Sequence, residues 1–462
     1  MAGADIHRYS TDRRGAGLNA LLATAAGGLA ALADTLLLPT IVLALFAGQL
    51  TDSFVAIGVV AALGAGFWVL GRIPATLLVP ARRRKQPWAL GASLVRVAAL
   101  GLLTLVAFRA QAGGEGMLRV LYVCFGAYSL ASGFASVPIE GLVAKTAPVA
   151  RRDAFYRQRT LMAGAGALVG ALIAAKVLGP DGPGFPRQFA LLFLAATVSH
   201  LAVAVLLASM REPTRVAEPR GLSPAATMRS VPRALSDPSF GKFFVFRVLL
   251  ALTAIADPFL VLFALSRLGV PATAVGGYVV AYVAGLLVAR PAWAALASRS
   301  GERTVLQASA LLRLVPPLVA LALPYLAATT AWRSRAGDGS WLEIVFGVAF
   351  ACIGASASGQ ARGTFGYLGE FAPTRSRPIF ATILNGGLGL AAFVPIVGGV
   401  VVTRSGYDTL FIVATIVALL AVFASGALTN AFVRRRPNSR GLPSGASTGN
   451  SASAPVVLSQ TG

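Results

Sequence analysis

Twelve apolar runs, each long enough to cross a bilayer, set the limits on what this chain can become. A spanning helix needs roughly 20 such residues to cover ~30 Å of hydrocarbon at ~1.5 Å per residue. The runs lie near 19–47, 54–80, 88–109, 117–144, 158–179, 187–210, 243–268, 272–297, 304–328, 342–369, 378–403 and 407–433. Gly (50) and Pro (26) are scattered through them. In lipid this is tolerated, because neighbouring helices re-satisfy freed backbone groups and small residues let helices approach closely. Only 12% of the residues are charged, against about 25% in a soluble domain. Soluble enzymes, disordered chains and disulfide scaffolds are therefore excluded, and an all-α integral membrane protein of twelve transmembrane helices is expected. The polar stretch up to Arg14 and the length of the first run do not fit a cleaved signal.

Charge location sets the orientation. The net charge is +23, from 40 Lys+Arg against 17 Asp+Glu. One set of alternating connections and tails holds 26 basic residues and the other set holds 8. The rule that basic loops stay inside therefore places both termini in the cytoplasm, with the protein multi-pass in the cell (inner) membrane. The basic clusters are separated by whole spans, so they form no continuous groove for nucleic acid. Cys124 and Cys352 lie in apolar runs and read as packing residues. With only His7 and His200, no His/Cys metal site is expected. No phosphate loop of the G-x-x-x-x-G-K-[ST] type and no nucleophile–base cluster is present, so neither ATP drive, an enzyme activity nor a cofactor is expected.

The chain repeats itself. Ala31-Leu32-Ala33-Asp34 recurs as Ala254-Ile255-Ala256-Asp257, an offset of 223. Arg72 recurs as Arg290, Arg96 as Arg313, and Ala147-Pro148 with Arg151 as Ala372-Pro373 with Arg375, at offsets of 217 to 225. Each copy falls in the corresponding span or loop. Six spans separate the copies, so the repeat is parallel, a plan common in transporters. The expected organisation is a cytoplasmic tail over 1–17, a six-helix bundle over 18–210, a cytoplasmic loop over 211–242, a second six-helix bundle over 243–434 and a disordered tail over 435–462.

The connection between spans 8 and 9 reads Ala294-Ala295-Leu296-Ala297-Ser298-Arg299-Ser300-Gly301-Glu302-Arg303. It resembles the G-x-x-x-D-R-x-G-R-R signature of the major facilitator superfamily, keeping Arg299, Gly301 and Arg303. Between spans 2 and 3 the motif has decayed to Pro80-Ala81-Arg82-Arg83-Arg84-Lys85, and Pro395-Ile396-Val397-Gly398-Gly399 is a further family-like stretch. The antiporter-type Gly-Pro pattern is missing from span 5, which has Gly164, Gly166 and Gly170 without Pro. The resemblance covers about residues 18–434. It implies two pseudo-two-fold related six-helix bundles around a central cavity lined by spans 1 and 7, working as a monomer.

A charge at mid-bilayer costs roughly 2.5–3.5 kcal/mol, so intramembrane ionisable residues are functional candidates. Asp34 and Asp257 lie about 15 residues into their runs, or about 20 Å from the cytoplasmic end. The resemblance implies that they face each other across the cavity. Two readings stand for them: carriers of coupling protons, or structural acids bonded to backbone or arginine. A carboxyl withdrawn from water favours its protonated form, which is what a proton carrier needs. Pro39 and Pro258 favour kinks beside both acids. Arg72, Arg96, Arg290 and Arg313 lie within snorkelling reach of the cytoplasmic side. With Arg299 and Arg303 they read as a cytoplasmic gate. Glu140 is the expected partner in the first half, as an ion pair or a coupling acid; the position 225 residues on is Phe365. Arg247 either contacts an anionic substrate or snorkels. Asn385 and Arg362 are polar cavity candidates, and His200 reads as a packing residue. The function expected is secondary active transport of a small organic solute by alternating access. The paired acids favour protons over sodium as coupling ions, and the alternative is a non-transporting assembly factor or sensor.

Overall fold

The structure is a computed structural model that describes residues 3–80, 82–109, 114–147, 151–212, 224–329, 340–373 and 376–429. Helix α1 runs over Gly3–Leu36 and resumes as Val42–Gly48. It is followed by α2 (Phe54–Leu78), α3 (Gln86–Arg109), α4 (Glu115–Thr146), α5 (Arg152–Leu178) and α6 (Arg187–Ser209). A linker helix, Pro224–Leu235, leads to α7 (Pro238–Arg267), α8 (Val275–Ser300), α9 (Glu302–Ala328) and α10 (Ser340–Phe371). Helix α11 starts at Arg377, breaks after Ala391 and continues to residue 405, and α12 occupies 407–426. Gly406 alone separates those two, at φ 80°, ψ 177°. An L side chain is strained at such a φ, so a glycine makes this turn without a loop.

Several ends follow from local chemistry. Helix α7 begins at Pro238, ahead of the expected 243. The Asp237 side chain accepts from the Ser239 and Phe240 N–H groups at 2.9 Å each, and Pro238 occupies the first turn. The helix at the N-terminus reaches back to Gly3, into the segment expected as a tail. The C-terminal tail over 435–462, Pro148 and Arg375 lie outside the described residues.

Besides α11, three helices break, and each of these three breaks carries a charged residue. Asp34 sits in the last turn of the first α1 segment, before Pro39. Asp257 opens the second segment of α7 after a 3-10 turn over Thr253–Ala256. Arg313 follows the first segment of α9, before Pro316 and Pro317. Proline removes an intrahelical hydrogen bond and clashes with the preceding turn, which places the interruptions there.

Each half is pinned by reciprocal backbone crossings. A Cβ on Gly133 of α4 would collide with the Trp68 carbonyl of α2, and one on Gly71 of α2 with the Leu130 carbonyl of α4. The same pair recurs in the second half. Gly354 of α10 lies on the Tyr282 carbonyl of α8, and Gly285 of α8 on the Ala351 carbonyl of α10. In this packing frame α8 is offset from α2 by 214 residues and α10 from α4 by 221. Arg290 is therefore one helical turn beyond the true counterpart of Arg72, which is Leu286.

The two halves meet mainly on the side away from the linker helix. There Gly58 and Phe54, at the start of α2, rest on Pro395 and Gly399 of α11. Gly276, at the start of α8, rests on Ala175 near the end of α5. Phe54 adds edge contacts to Phe259 and Tyr407, at 6.4 and 5.5 Å between ring centroids. The outward surface is apolar, with Val123, Val288, Leu390 and Phe423 each more than 70% exposed. Such a surface suits lipid and would aggregate in water.

Gly133→Ala is expected to lower thermal stability in detergent by an amount equivalent to about 1–3 kcal/mol, because α4 must move off the α2 backbone. Gly91→Ala, which meets nothing within 4 Å, is the control. Equal melting temperatures for the two variants would contradict the crossing.

Candidate functional site

The first half contains a buried polar chain joining four helices. Arg96 of α3 bonds through Nη2 to Nδ1 of His200 on α6 and lies 3.3 Å from its Nε2. His200 Nε2 is 2.9 Å from the Tyr128 hydroxyl of α4, and that hydroxyl donates to Asp34 Oδ1 on α1 at 2.8 Å. The hydrogen positions are assigned from the network. Arginine can only donate, so the Nδ1 facing it accepts. The ring is then neutral, Nε2–H donates to the Tyr128 oxygen, and Tyr128 O–H donates to the carboxylate. Arg96 also lies over the Tyr128 ring at 6.0 Å. His200 is 1% exposed, whereas the Asp34 side chain is 35% exposed, with Oδ2 unpartnered among the described residues.

The second half answers with a direct ion pair. Arg313 of α9 donates from Nη2 to Asp257 Oδ1 of α7 at 2.7 Å and from Nε to Thr253 Oγ1 at 2.7 Å. Both side chains are nearly closed off, at 6% and 12% exposure. The two acids that repeat in sequence thus sit in different chemistry. Asp257 faces a guanidinium, while His200 and Tyr128 stand between Asp34 and its arginine. The bonds described for each acid stay within its own half.

Arg96 and Arg313 thus sit in the acid clusters rather than at the linker-side end. Both are buried, and a nearby side-chain partner replaces the headgroup water that a snorkelling arginine seeks. Arg72 does meet Glu140. The guanidinium grips the carboxylate through two 3.0 Å bonds, donates to Ser136 Oγ at 2.8 Å and stacks on Trp68 at 5.2 Å. Arg362 pairs with Glu302 at 3.1 Å, and Glu370 accepts from the Glu302 N–H at 3.1 Å. Arg303 bonds to the Gly426 carbonyl at 2.9 Å, and Arg299 is exposed. Arg247 is 7% exposed and donates to Gln360 Oε1 at 2.8 Å. Arg290 and Asn385 are half-buried, and neither makes a side-chain hydrogen bond among the described residues.

Where the signature loop has decayed, another device stands. Glu212, just past α6, accepts from the Lys85 and Gln86 N–H groups at the start of α3 and from Lys145 Nζ at 2.9 Å. Burial pushes its carboxyl up, but these donors outweigh burial and hold it below the ordinary value of 4.5. An acid on a helix N-terminus also meets the positive end of the helix dipole. Sequence reasoning missed Glu212, Tyr128 and Thr253. Tyr128 carries no charge and left no charge-based signal. Glu212 had one, as an acid inside an arginine-rich connection.

No protein-family model matches the sequence, and no curated protein matches it either. Solved structures do. A nucleoside transporter, NupG, superposes with a TM-score of 0.63 at 13% identity, over 89% of this chain and 99% of the other. A D-xylose–proton symporter gives 0.60 at 16% identity, over 89% and 98%. A bacterial homologue of the human lysosomal transporter Spinster, in an inward-facing and unoccupied conformation, gives 0.59 at 12% identity, over 92% and 99%. At these identities the likeness is one of fold: the chain is a multi-pass membrane protein with the major facilitator fold.

Two stability measurements follow. Arg313→Met strands a buried carboxylate and is expected to cost about 3–5 kcal/mol. Arg72→Met, whose pair is more open, is expected to cost about 1 kcal/mol. Denaturation in detergent yields both, and equal losses would contradict the difference in burial. Glu212 has a folded-state value below its unfolded one. Its stabilisation is therefore full above 4.5 and is lost as pH falls through the depressed value. Melting temperature should drop in that acid range for the wild type and less for Glu212→Gln.

Proposed function

We propose that the protein is a secondary active transporter of a small organic solute, coupled to protons through Asp34. The observation that carries this reading is the asymmetry between the two repeated acids. Asp257 is bound to the Arg313 guanidinium at 2.7 Å. Asp34 is held by one neutral hydroxyl and keeps an open oxygen. The open Oδ2 can take a proton while Tyr128 goes on donating to Oδ1, so Asp34 can take and lose a proton without stranding a partner.

The chain Arg96–His200–Tyr128–Asp34 joins α3, α6, α4 and α1. Its charged ends attract each other across two neutral groups. Protonating Asp34 removes the negative end and turns the charge-assisted bond from Tyr128 into a weaker neutral one, which loosens α1 from the other three helices. That is a local event able to bias a two-state equilibrium between the halves. The breaks beside Asp34 and Asp257 are where α1 and α7 can bend.

Alternating access follows from how the halves meet. Their contacts gather away from the linker helix. If the basic linker side is cytoplasmic, as the charge bias implies, the conformation is sealed outside and opens inward. Outward opening would separate the α2/α11 and α5/α8 contacts while the reciprocal crossings inside each half persist. Arg72–Glu140 and Arg362–Glu302 then hold each half together near its linker-side end. The structural relatives support the reading: one is named a proton symporter and another a nucleoside transporter.

The test is purified protein in liposomes with a pH-sensitive dye inside, challenged with pooled metabolites. The wild type should acidify or alkalinise the lumen with at least one pool. Asp34→Asn should abolish that proton flux while solute exchange down its own gradient survives. Proton flux that persists in Asp34→Asn would remove the proposed role.

A further inference from the structure

Three arginines in the spans have no carboxylate to match them. Of the intramembrane arginines that lie at least six residues inside their helices, four can be traced to an acid. Arg72 holds Glu140, Arg313 holds Asp257, Arg362 holds Glu302, and Arg96 reaches Asp34 through His200 and Tyr128. Arg159, Arg247 and Arg290 remain. Among the described residues none of the three makes an ion pair. The acid whose charge acts on Arg159 is Glu140, already gripped by both terminal nitrogens of Arg72. Arg247 meets only the neutral Gln360, and its buried Nε has no acceptor. The buried Nε of Arg159 has none either.

These three share a depth. Arg159 is seven residues into α5, Arg247 nine into α7, and Arg290 ten from the end of α8, all counted from the linker side. At ~1.5 Å per residue they fall within about 5 Å of one another along the membrane normal. One of them marks where the halves adjoin. Arg290 reaches across from α8, with Nη1 3.4 Å from where a Cβ on Gly164 of α5 would stand. Five residues along the same α5, Arg159 lies against α1, with Nε 3.3 Å from the equivalent point on Gly27. Gly27 and Gly164 supply the room for both side chains.

We infer that Arg159, Arg247 and Arg290 form the substrate site between the halves, and that the substrate is a small organic anion, a carboxylate or phosphate monoester. Guanidinium cannot shed its proton and has no acceptor atom, so burial without a counter-charge is unfavourable until an anion arrives. Its planar fork matches carboxylate and phosphate oxygens. Donors from both halves, α5 on one side and α7 and α8 on the other, let one anion bridge the two bodies that must move. The shift of Arg290 by one turn from the Arg72 position is what frees it for this role: it has left the place where a Glu140-like partner would meet it.

This inference rests on the transport reading, and its test is independent of proton coupling. Purified, delipidated protein in detergent is titrated with succinate, citrate, glycerol phosphate, inorganic phosphate, glucose and choline, and melting temperature is read. At least one anion should raise it, and glucose and choline should not. Arg290→Gln and Arg247→Gln should weaken the apparent affinity for that anion by about tenfold or more, the scale of one lost charge-assisted contact. Arg290→Lys should recover part of it, which a merely structural defect would not. Phosphatidylglycerol is run alongside: a shift from the lipid that the solute anions neither reproduce nor compete with would make a headgroup the occupant and overturn the proposal. Silence of every anion on monodisperse protein, or an anion shift unchanged in the glutamine variants, would also overturn it. Intact anion binding with Asp34-independent proton flux would sink the coupling role alone.

Discussion

Taking a charge out of water is so unfavourable that ionised side chains in the spans are driven to find counterparts, and those meetings organise this molecule. Arg313 finds Asp257, Arg72 finds Glu140, and Arg362 finds Glu302. Each pair joins two helices far apart in sequence. In lipid, where apolar packing has little hydrophobic drive, such polar links and close backbone contacts carry much of the specificity. The glycine crossings of α2 with α4 and of α8 with α10 supply the second part. Where partners run out, at Asp34's open oxygen and at Arg159, Arg247 and Arg290, the proposed proton and anion chemistry begins.

The two halves share a scaffold and differ in polar contents. The same reciprocal crossing recurs at offsets of 214 and 221. On the proposed reading, duplicated packing lets both halves move as rigid bodies. The acids inside them do not match: Asp257 is bound to its arginine, while Asp34 is insulated from its own by His200 and Tyr128. On the proposed reading one half is the anchor and the other the sensor, so a single protonation acts on one body and is felt at the interface.

Much of the fold was legible from run lengths, because the backbone in lipid has so few ways to satisfy its hydrogen bonds. The acids beside Pro39 and Pro258 were legible because a charge in an apolar run stands out, and the breaks are where proline demands them. Charge and depth pointed to Glu140 as the first half's partner acid, and the structure gives it to Arg72 rather than Arg96. Other features were hidden. The one-turn slip of Arg290 leaves an arginine in the corresponding span, so sequence alignment alone reads it as equivalent. The hydroxyl of Tyr128 is chemically quiet until a carboxylate is beside it. His200 among apolar residues looks like packing, and only its position between Arg96 and Tyr128 makes it a link. The linker-side end, expected to be organised by signature-loop arginines, is tied in the first half by Glu212 on the α3 N-terminus.

The sequence by itself determined the twelve spans, the six-plus-six repeat and most of the charges within the spans, Arg159 excepted. Those properties depend on local chain chemistry: length, hydropathy and the placement of Arg against Asp and Glu. Tertiary structure alone decided which charge each acid meets, which arginines are left without one and where the halves touch. Pairing depends on distances of about 3 Å between side chains that are 50 to 110 residues apart in the chain, such as Asp257 with Arg313 and Arg96 with His200. A turn's slip in one helix changes such a distance by ~5 Å while leaving the sequence pattern intact.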